Sequence, residues 1–283
     1  MTAPHPPSGA QGPALVVLAI SFAQTGSAVA AMVFSLAGPV GTVALRLGLS
    51  ALVLWLLVRP SLRGISRLSW GAAAGYGLVL AAMNVLFYLA IDRIPLGTAV
   101  TLELLGPLTL SVIAGRRLLS LLWAVIAGLG VLLLSWNPSE TLDPLGVVFA
   151  LGAGVMWACY ILFTRAAGRH FSGLAGMTLG MSVGALAVVP FAVTTTGTVF
   201  LRPEVLLVGL AVALLSSTIP YALEMRALRT VPPSTFAVLL ALSPAVAALS
   251  GLLLLGQDLG AAGYAGIVLV VVARIGASRT KVG

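Results

Sequence analysis

The chain has 283 residues, of which 60% are hydrophobic and only 8% are charged. Soluble domains carry about 25% charged residues, so a soluble fold of this length would leave a large apolar surface in water. The composition therefore excludes a soluble protein and predicts a polytopic membrane protein, with the lipid bilayer as its solvent.

Ten apolar segments are long enough to cross a bilayer as helices, for which about 20 residues are needed. They do not alternate apolar and polar residues as the strands of a membrane barrel do, which favours an all-α membrane protein. Most connections between them are too short to form a soluble domain. In chain order, the predicted spans are 14–35, 40–58, 70–91, 97–114, 118–136, 145–164, 174–195, 205–226, 235–254 and 259–277.

The positively charged residues predict how these spans are oriented. With the N-terminus in the cytoplasm, one set of connections carries twelve of the fifteen Lys and Arg, the opposite set carries Arg93 and Arg202, and Arg46 lies within a span. Lys and Arg accumulate in cytoplasmic loops, so we predict a multi-pass protein of the cytoplasmic (inner) membrane with both termini inside. The twelve are Arg59, Arg63, Arg67, Arg116, Arg117, Arg165, Arg169, Arg226, Arg229, Arg274, Arg279 and Lys281.

The same rule explains the formal net charge of +8 without nucleic-acid binding, which we do not expect. A polar connection at 137–144 divides the chain into two sets of five spans. The predicted organisation is a disordered cytoplasmic tail (1–13), a first five-helix repeat (14–136), a periplasmic connection (137–144), a second five-helix repeat (145–277) and a cytoplasmic tail (278–283). The N-terminal tail has no Lys or Arg, so we expect the first span to be retained and not removed as a signal peptide.

The two halves have similar sequences at an offset of 137 residues. Because each half has an odd number of spans, the halves must cross the membrane in opposite directions. Inverted repeats recur in secondary transporters, whose substrate site lies at the repeat interface near the midplane. The alternative is that duplication only produced a stable bundle. The matched pairs are Ala90 with Ala227, Pro95 with Pro232, Thr98 with Thr235, Leu102 with Leu239, Leu105 with Leu242 and Pro107 with Pro244.

Three charged residues lie inside predicted spans: Arg46, Glu103 and Glu224. A charge at the bilayer centre costs about 2.5–3.5 kcal/mol on insertion scales, so such residues face a partner, a bundle interior or a wet cavity. Arg46 and Glu103 are at similar depths, and either lock two helices together as a pair or bind substrate or a proton. Glu224 either reaches the cytoplasmic interface or lines the inner mouth of a cavity.

Uncharged polar and aromatic residues at helical spacing indicate further lining of a central cavity. Gln24 and Asn84 are mid-span amides, which need partners in lipid. Aromatic side chains inside the spans either pack or contact substrate. The candidates for substrate contact beside the charged residues are Gln24, Asn84, Tyr88, Trp157, Tyr160, Ser217 and Tyr221. The predicted helix breaks, which free backbone groups, are Pro107, Pro220 and Pro244.

Several chemistries have no sequence basis. The chain has no P-loop motif, and its histidines, His5 and His170, lie in the tail and a loop, away from the lone Cys159. No nucleophile elbow is present. We therefore expect no enzyme activity, no metal and no cofactor, and substrate movement must be coupled to a gradient.

Four segments resemble the EamA branch of the drug/metabolite transporter superfamily, and within it the threonine/homoserine exporters. They lie at 42–54, 84–108, 150–162 and 217–256, with the sharpest similarity around Glu103 and Glu224. The resemblance implies a ten-helix inverted repeat and proton-driven efflux of small amino acids. Many members have Glu where this chain has Ser243 and Gln257, so roles of those carboxylates do not transfer.

The expected function is secondary export of small amino acids. An amino-acid zwitterion needs an acceptor for its ammonium and donors for its carboxylate. Glu103 is the candidate acceptor, and Arg46, Gln24 and Asn84 are candidate donors. Glu103 and Glu224 are the candidates for carrying a coupling proton, since an apolar cavity favours the protonated carboxyl. Efflux of another metabolite or an amphipathic drug, and a non-transporting scaffold or sensor, are the alternatives.

Overall fold

The computed structural model describes residues 11–115, 118–134, 142–171, 174–197, 199, 202–227 and 230–279. These residues form helices and no strands, which confirms the prediction of an all-α protein. Most of the predicted N-terminal tail (1–13) and periplasmic connection (137–144), and most of the C-terminal tail (278–283), lie outside the described residues. The first helix begins at Gln11, within the predicted tail.

Twelve α-helices and one π-helical segment follow one another along the described part of the chain. The π segment joins α8 directly to α9. The elements are α1 (Gln11–Met32), α2 (Phe34–Val58), α3 (Arg67–Ile91), α4 (Leu96–Gly115), α5 (Leu118–Leu134), α6 (Pro144–His170), α7 (Ala175–Thr196), α8 (Pro203–Ala213), the π segment (Leu214–Thr218), α9 (Ile219–Ala227), α10 (Pro233–Leu240), α11 (Ser243–Leu255) and α12 (Gly260–Arg279).

Seven helical runs within the described residues are long and apolar enough to cross a membrane, and the shorter runs Leu96–Leu110 and Gly260–Gly276 are also apolar. Large apolar side chains on their outer faces are exposed, for example Leu56, Leu186 and Leu253. Such a surface requires lipid around it, so the chain is a multi-pass membrane protein. Ten crossings and the position of the termini stay predictions. The seven runs are Gln11–Met32, Phe34–Val58, Arg67–Ile91, Pro144–His170, Ala175–Thr196, Pro203–Glu224 and Val238–Leu255.

The three prolines predicted to break helices have different local outcomes. Pro107 stays inside the continuous helix α4. Pro220 is the second residue of α9, which begins directly after the π segment. Pro244 lies in the first turn of α11, after a turn that separates it from α10, and the hydroxyl of Ser243 donates a hydrogen bond of 2.8 Å to the carbonyl of Leu240. Since Pro244 has no N–H, this hydroxyl supplies the bond that the proline cannot.

Glycines allow the backbones of neighbouring helices to touch. A Cβ on Gly106 of α4 would meet the backbone of Gly154 in α6, and a Cβ on Gly180 of α7 would meet the ring of Tyr76 in α3. Small residues are the usual means of close helix packing in membranes, where lipid is as apolar as the side chains. As a result α3, α4, α6 and α7 form a tight group on one side of the bundle.

We call the end of the bundle that carries the α3–α4 turn the Leu96 end, and the opposite end the His170 end. At the Leu96 end, the side-chain oxygen of Gln257 accepts a hydrogen bond of 2.9 Å from the backbone N–H of Leu96. Arg93 lies 3.7 Å from the carboxylate of Asp143, which also caps α6. These contacts join the first half of the chain to the second.

We expect Gln257→Leu to lower the free energy of unfolding by about 1–3 kcal/mol, because it leaves the buried N–H of Leu96 without an acceptor. The measurement is unfolding of the purified protein by SDS in mixed micelles. Gln257→Glu keeps an acceptor and is the matched control. Equal stability of Gln257→Leu and the wild type would show that this bond contributes nothing.

Candidate functional site

A cavity of about 370 Å³ lies between the helices and receives side chains from both halves of the chain. Most of its wall is apolar, with polar groups at a few places, as in most small-molecule sites. Its polar lining residues are Gln24, Ser27, Arg46, Asn84, Glu103, Trp157, Tyr160, Thr164, Ser216, Tyr221, Glu224, Ser243 and Arg274.

Glu103 lines this cavity from α4 and is 8% exposed. Among the described residues, the ion pairs are those of Arg93 with Asp92 and Asp143, and no side chain hydrogen-bonds to the Glu103 carboxylate. Arg46 and Glu103 therefore line the same cavity without forming an ion pair of 4.0 Å or less. A buried carboxylate without a protein partner is costly, so Glu103 is available to a ligand or a proton.

Arg46 is fixed by three hydrogen bonds to three different groups. Its Nε donates to the hydroxyl of Ser217 at 2.9 Å, Nη1 donates to the hydroxyl of Tyr88 at 3.2 Å, and Nη2 donates to the carbonyl of Ser216 at 3.0 Å. A guanidinium has five N–H donors, so two remain for the cavity. The residue thus ties α2 to the π segment while its charge still faces the cavity.

The π segment exists next to Pro220 for a local reason. Proline has no N–H to donate to the carbonyl four residues earlier, and its ring collides with that carbonyl. The carbonyl in question is that of Ser216, which Arg46 uses. One turn further back, the hydroxyl of Ser50 donates to the carbonyl of Ala213 at 3.2 Å. The break at Pro220 therefore provides backbone acceptors for α2, as the sequence indicated.

The two predicted amides both reach the cavity. Asn84 is 3% exposed and donates from Nδ2 to the carbonyl of Leu80 at 2.7 Å, which leaves its oxygen available. The side-chain oxygen of Gln24 is buried and has no hydrogen-bond partner in the described part of the chain. Since buried polar groups are normally satisfied, an unsatisfied amide beside a cavity indicates a ligand or water contact.

The predicted aromatic and hydroxyl candidates separate into two groups. Trp157, Tyr160 and Tyr221 belong to the cavity wall. Tyr88 and Ser217 are fully buried, do not line it, and instead hold Arg46. Tyr88 and Ser217 therefore hold the guanidinium of Arg46 in place and do not contact a substrate in the cavity. Ser217 and Tyr221 lie four residues apart, but the π segment changes the direction in which Ser217 points, so that only Tyr221 lines the cavity.

Glu224 lines the central cavity and also a second cavity of about 220 Å³. The second cavity extends towards the His170 end, since its lining includes Phe171 and Gly176 beside the α6–α7 turn. Of the two interpretations of Glu224, the structure therefore favours the cavity mouth over a simple interfacial position. The residues common to both cavities are Tyr160, Thr164, Tyr221 and Glu224.

The sequence analysis missed several cavity residues and assigned one charge wrongly. Arg274 was counted with the cytoplasmic connections, but it lies inside α12, is 8% exposed and lines the central cavity. Its position within the predicted span 259–277 was the available signal. Ser216 and Tyr76 were also missed, and nothing in their spacing distinguishes them from ordinary packing residues.

Two close contacts between elements lie towards the Leu96 end of the bundle. The rings of Phe34 and Tyr88 pack with centroids 5.5 Å apart, and Tyr88 is fully buried. A Cβ on Gly97 of α4 would meet the backbone of Ala248 in α11. The lining of the second cavity by Phe171 and Gly176 indicates that the cavities extend towards the His170 end.

Comparisons of sequence and of structure relate this chain to known proteins. Residues 144–279 match the model of the EamA-like transporter family. The chain is 38% identical to the threonine/homoserine exporter RhtA of Salmonella typhimurium strain LT2, over 95% of this chain and 92% of that protein. It is 37% identical to RhtA of Escherichia coli K12, over 94% and 90%. A solved crystal structure that is 16% identical covers 97% of each chain with a TM-score of 0.63, which reflects a common fold. This chain therefore belongs to the EamA-like transporter family.

Proposed function

We propose that the protein is a secondary active exporter of small amino acids of the threonine and homoserine type. The observation that carries the proposal is the central cavity, where the unpartnered carboxylate of Glu103 and the charge of Arg46 face the same space. The names of the RhtA relatives describe export of these two amino acids. The cavity volume of about 370 Å³ suits a solute of this size.

The ligand's two charges have complementary groups in this cavity. Glu103 accepts hydrogen bonds from the ammonium, and the free N–H groups of Arg46 donate to the carboxylate. Gln24 and Asn84 offer amide groups to the side-chain hydroxyl of threonine or homoserine. Trp157 and Tyr221 cover the apolar part. A site that binds a hydroxyl discriminates well against analogues that lack it.

The packing of the helices supports alternating access by two inverted repeats. The packing of α1 on α9 corresponds to the packing of α6 on α3. In addition, α5 packs on α12, and α2 packs on α7. These are the pairs that a two-fold axis in the membrane plane would relate. With the His170 end in the cytoplasm, as the positive residues predict, a cavity that extends towards this end supports an inward-facing state of an exporter in the cytoplasmic membrane.

Proton coupling is the second part of the proposal. Glu103 and Glu224 are the acidic residues of the described cavity wall, and neither has a hydrogen bond or ion pair with a described residue. A carboxyl in such surroundings exchanges a proton when the side to which it is exposed changes. One carboxylate then binds either a proton that enters from the periplasm or the amino acid that is exported, but not both at once.

The experiment is uptake of labelled threonine and homoserine into inverted vesicles, with and without a pH gradient, acid inside. We expect accumulation only with the gradient and only when the protein is present. A competition panel with amphipathic cations tests drug efflux, which the aromatic lining makes the second candidate. Absence of any solute flux in proteoliposomes would overturn export and favour a scaffold.

A further inference from the structure

The second cavity differs chemically from the central one. Its lining includes three tyrosines, Phe171, Met177 and one carboxylate, that of Glu224. Among its described lining residues there is no Lys or Arg, whereas the central cavity has Arg46 and Arg274. A zwitterion therefore finds groups for both of its charges in the centre, but a group for only one in the second cavity.

The tyrosines come from three elements and line the second cavity together with Glu224. Tyr76 of α3 and Tyr160 of α6 have ring centroids 5.4 Å apart, at an interplanar angle of 37°. Tyr221 of α9 lines the same cavity, as does Glu224. Tyr76 is held rigidly, because it is 4% exposed and its ring lies against Gly180. Aromatic faces around a carboxylate attract organic cations, through the ring quadrupole and the negative charge together.

We propose that the second cavity is a binding site for organic cations that lack a carboxylate, such as tetraalkylammonium ions. A cation bound there blocks the way from the His170 end to Glu103, because the two cavities share Tyr160, Thr164, Tyr221 and Glu224. The blocking effect rests on the proposed export function, whereas the binding itself does not.

The test is tetraethylammonium binding to the purified protein in nanodiscs by calorimetry. We expect Tyr76→Leu to weaken binding about three- to thirtyfold, the range of a desolvated cation–π contact. Tyr76→Phe keeps the ring and should stay within about twofold of the wild type. Tyr264→Leu changes a half-buried tyrosine of α12 outside both cavities and is the matched control.

If Tyr76→Leu does not yield folded protein, Glu224→Gln replaces it and should weaken binding at least tenfold through loss of the charge. Affinity unchanged in both variants, or no binding by the wild type at millimolar concentrations, overturns the site. Inhibition is measured in the vesicle assay, where tetraethylammonium should act from the face of the His170 end only. Cation binding that depends on Tyr76, without any amino-acid transport, would leave the site standing and reject the export function.

Discussion

Glu103→Gln is expected to abolish gradient-driven accumulation of threonine while the protein still inserts and folds. Gln has nearly the same shape as a protonated Glu but cannot ionise, so it cannot release a proton on the opposite side of the membrane. It also removes the negative charge that would hold the ammonium, which weakens substrate binding. Because Glu103 forms no bond with a described protein group, its replacement should leave the unfolding free energy within about 0.5 kcal/mol or raise it.

The measurement is uptake into inverted vesicles at matched protein levels, with and without the pH gradient. Glu204→Gln is the matched control, since Glu204 is an exposed carboxylate in the first turn of α8, away from both cavities. It should transport at the wild-type rate. Glu224→Gln separates the two candidate proton carriers, because it leaves the charge at Glu103. Wild-type accumulation by Glu103→Gln would reject both the binding and the coupling role of this carboxylate.

The sequence predicted the helical class and most of the polar lining of the cavity, because polar residues are informative in a chain surrounded by lipid. A charge or amide within an apolar span has few places to go, so Arg46, Glu103, Gln24 and Asn84 could be assigned to the interior before their neighbours were known. All four line the cavity. The same reasoning applies to Arg274, which lies within the last predicted span. Its depth in that span would have assigned it to the interior, but its positive charge placed it with the cytoplasmic connections.

The direction in which a side chain points around its helix was harder to predict from the sequence than its depth in the membrane. Ser217 and Tyr221 lie four residues apart, and a regular helix would place them on one face. The π segment before Pro220 rotates the face, so Ser217 contacts Arg46 while Tyr221 lines the cavity. Sequence indicates a break at a proline, but whether it becomes a kink, a turn or a π segment depends on what accepts the freed carbonyl.

Arg46→Lys is expected to reduce transport at least tenfold although the positive charge is kept. The guanidinium donates to Ser216, Ser217 and Tyr88 from three nitrogens in one plane. An ammonium has a single nitrogen and cannot span these partners. At least one buried acceptor then loses its bond, which costs about 1–3 kcal/mol of unfolding free energy. The acceptor most affected is the Ser216 carbonyl, which Pro220 cannot satisfy.

Two comparisons distinguish positioning by Arg46 from a simple requirement for charge. Tyr88→Phe removes one of the three bonds and should cause a smaller loss of transport than Arg46→Lys, with the threonine KM nearly unchanged. Arg226→Lys, at an exposed position in the last turn of α9, should behave as the wild type. If Arg46→Lys transports normally, the charge alone is sufficient. The link between α2 and the broken helix would then be a packing contact, and the substrate carboxylate would have to be bound without the guanidinium fork.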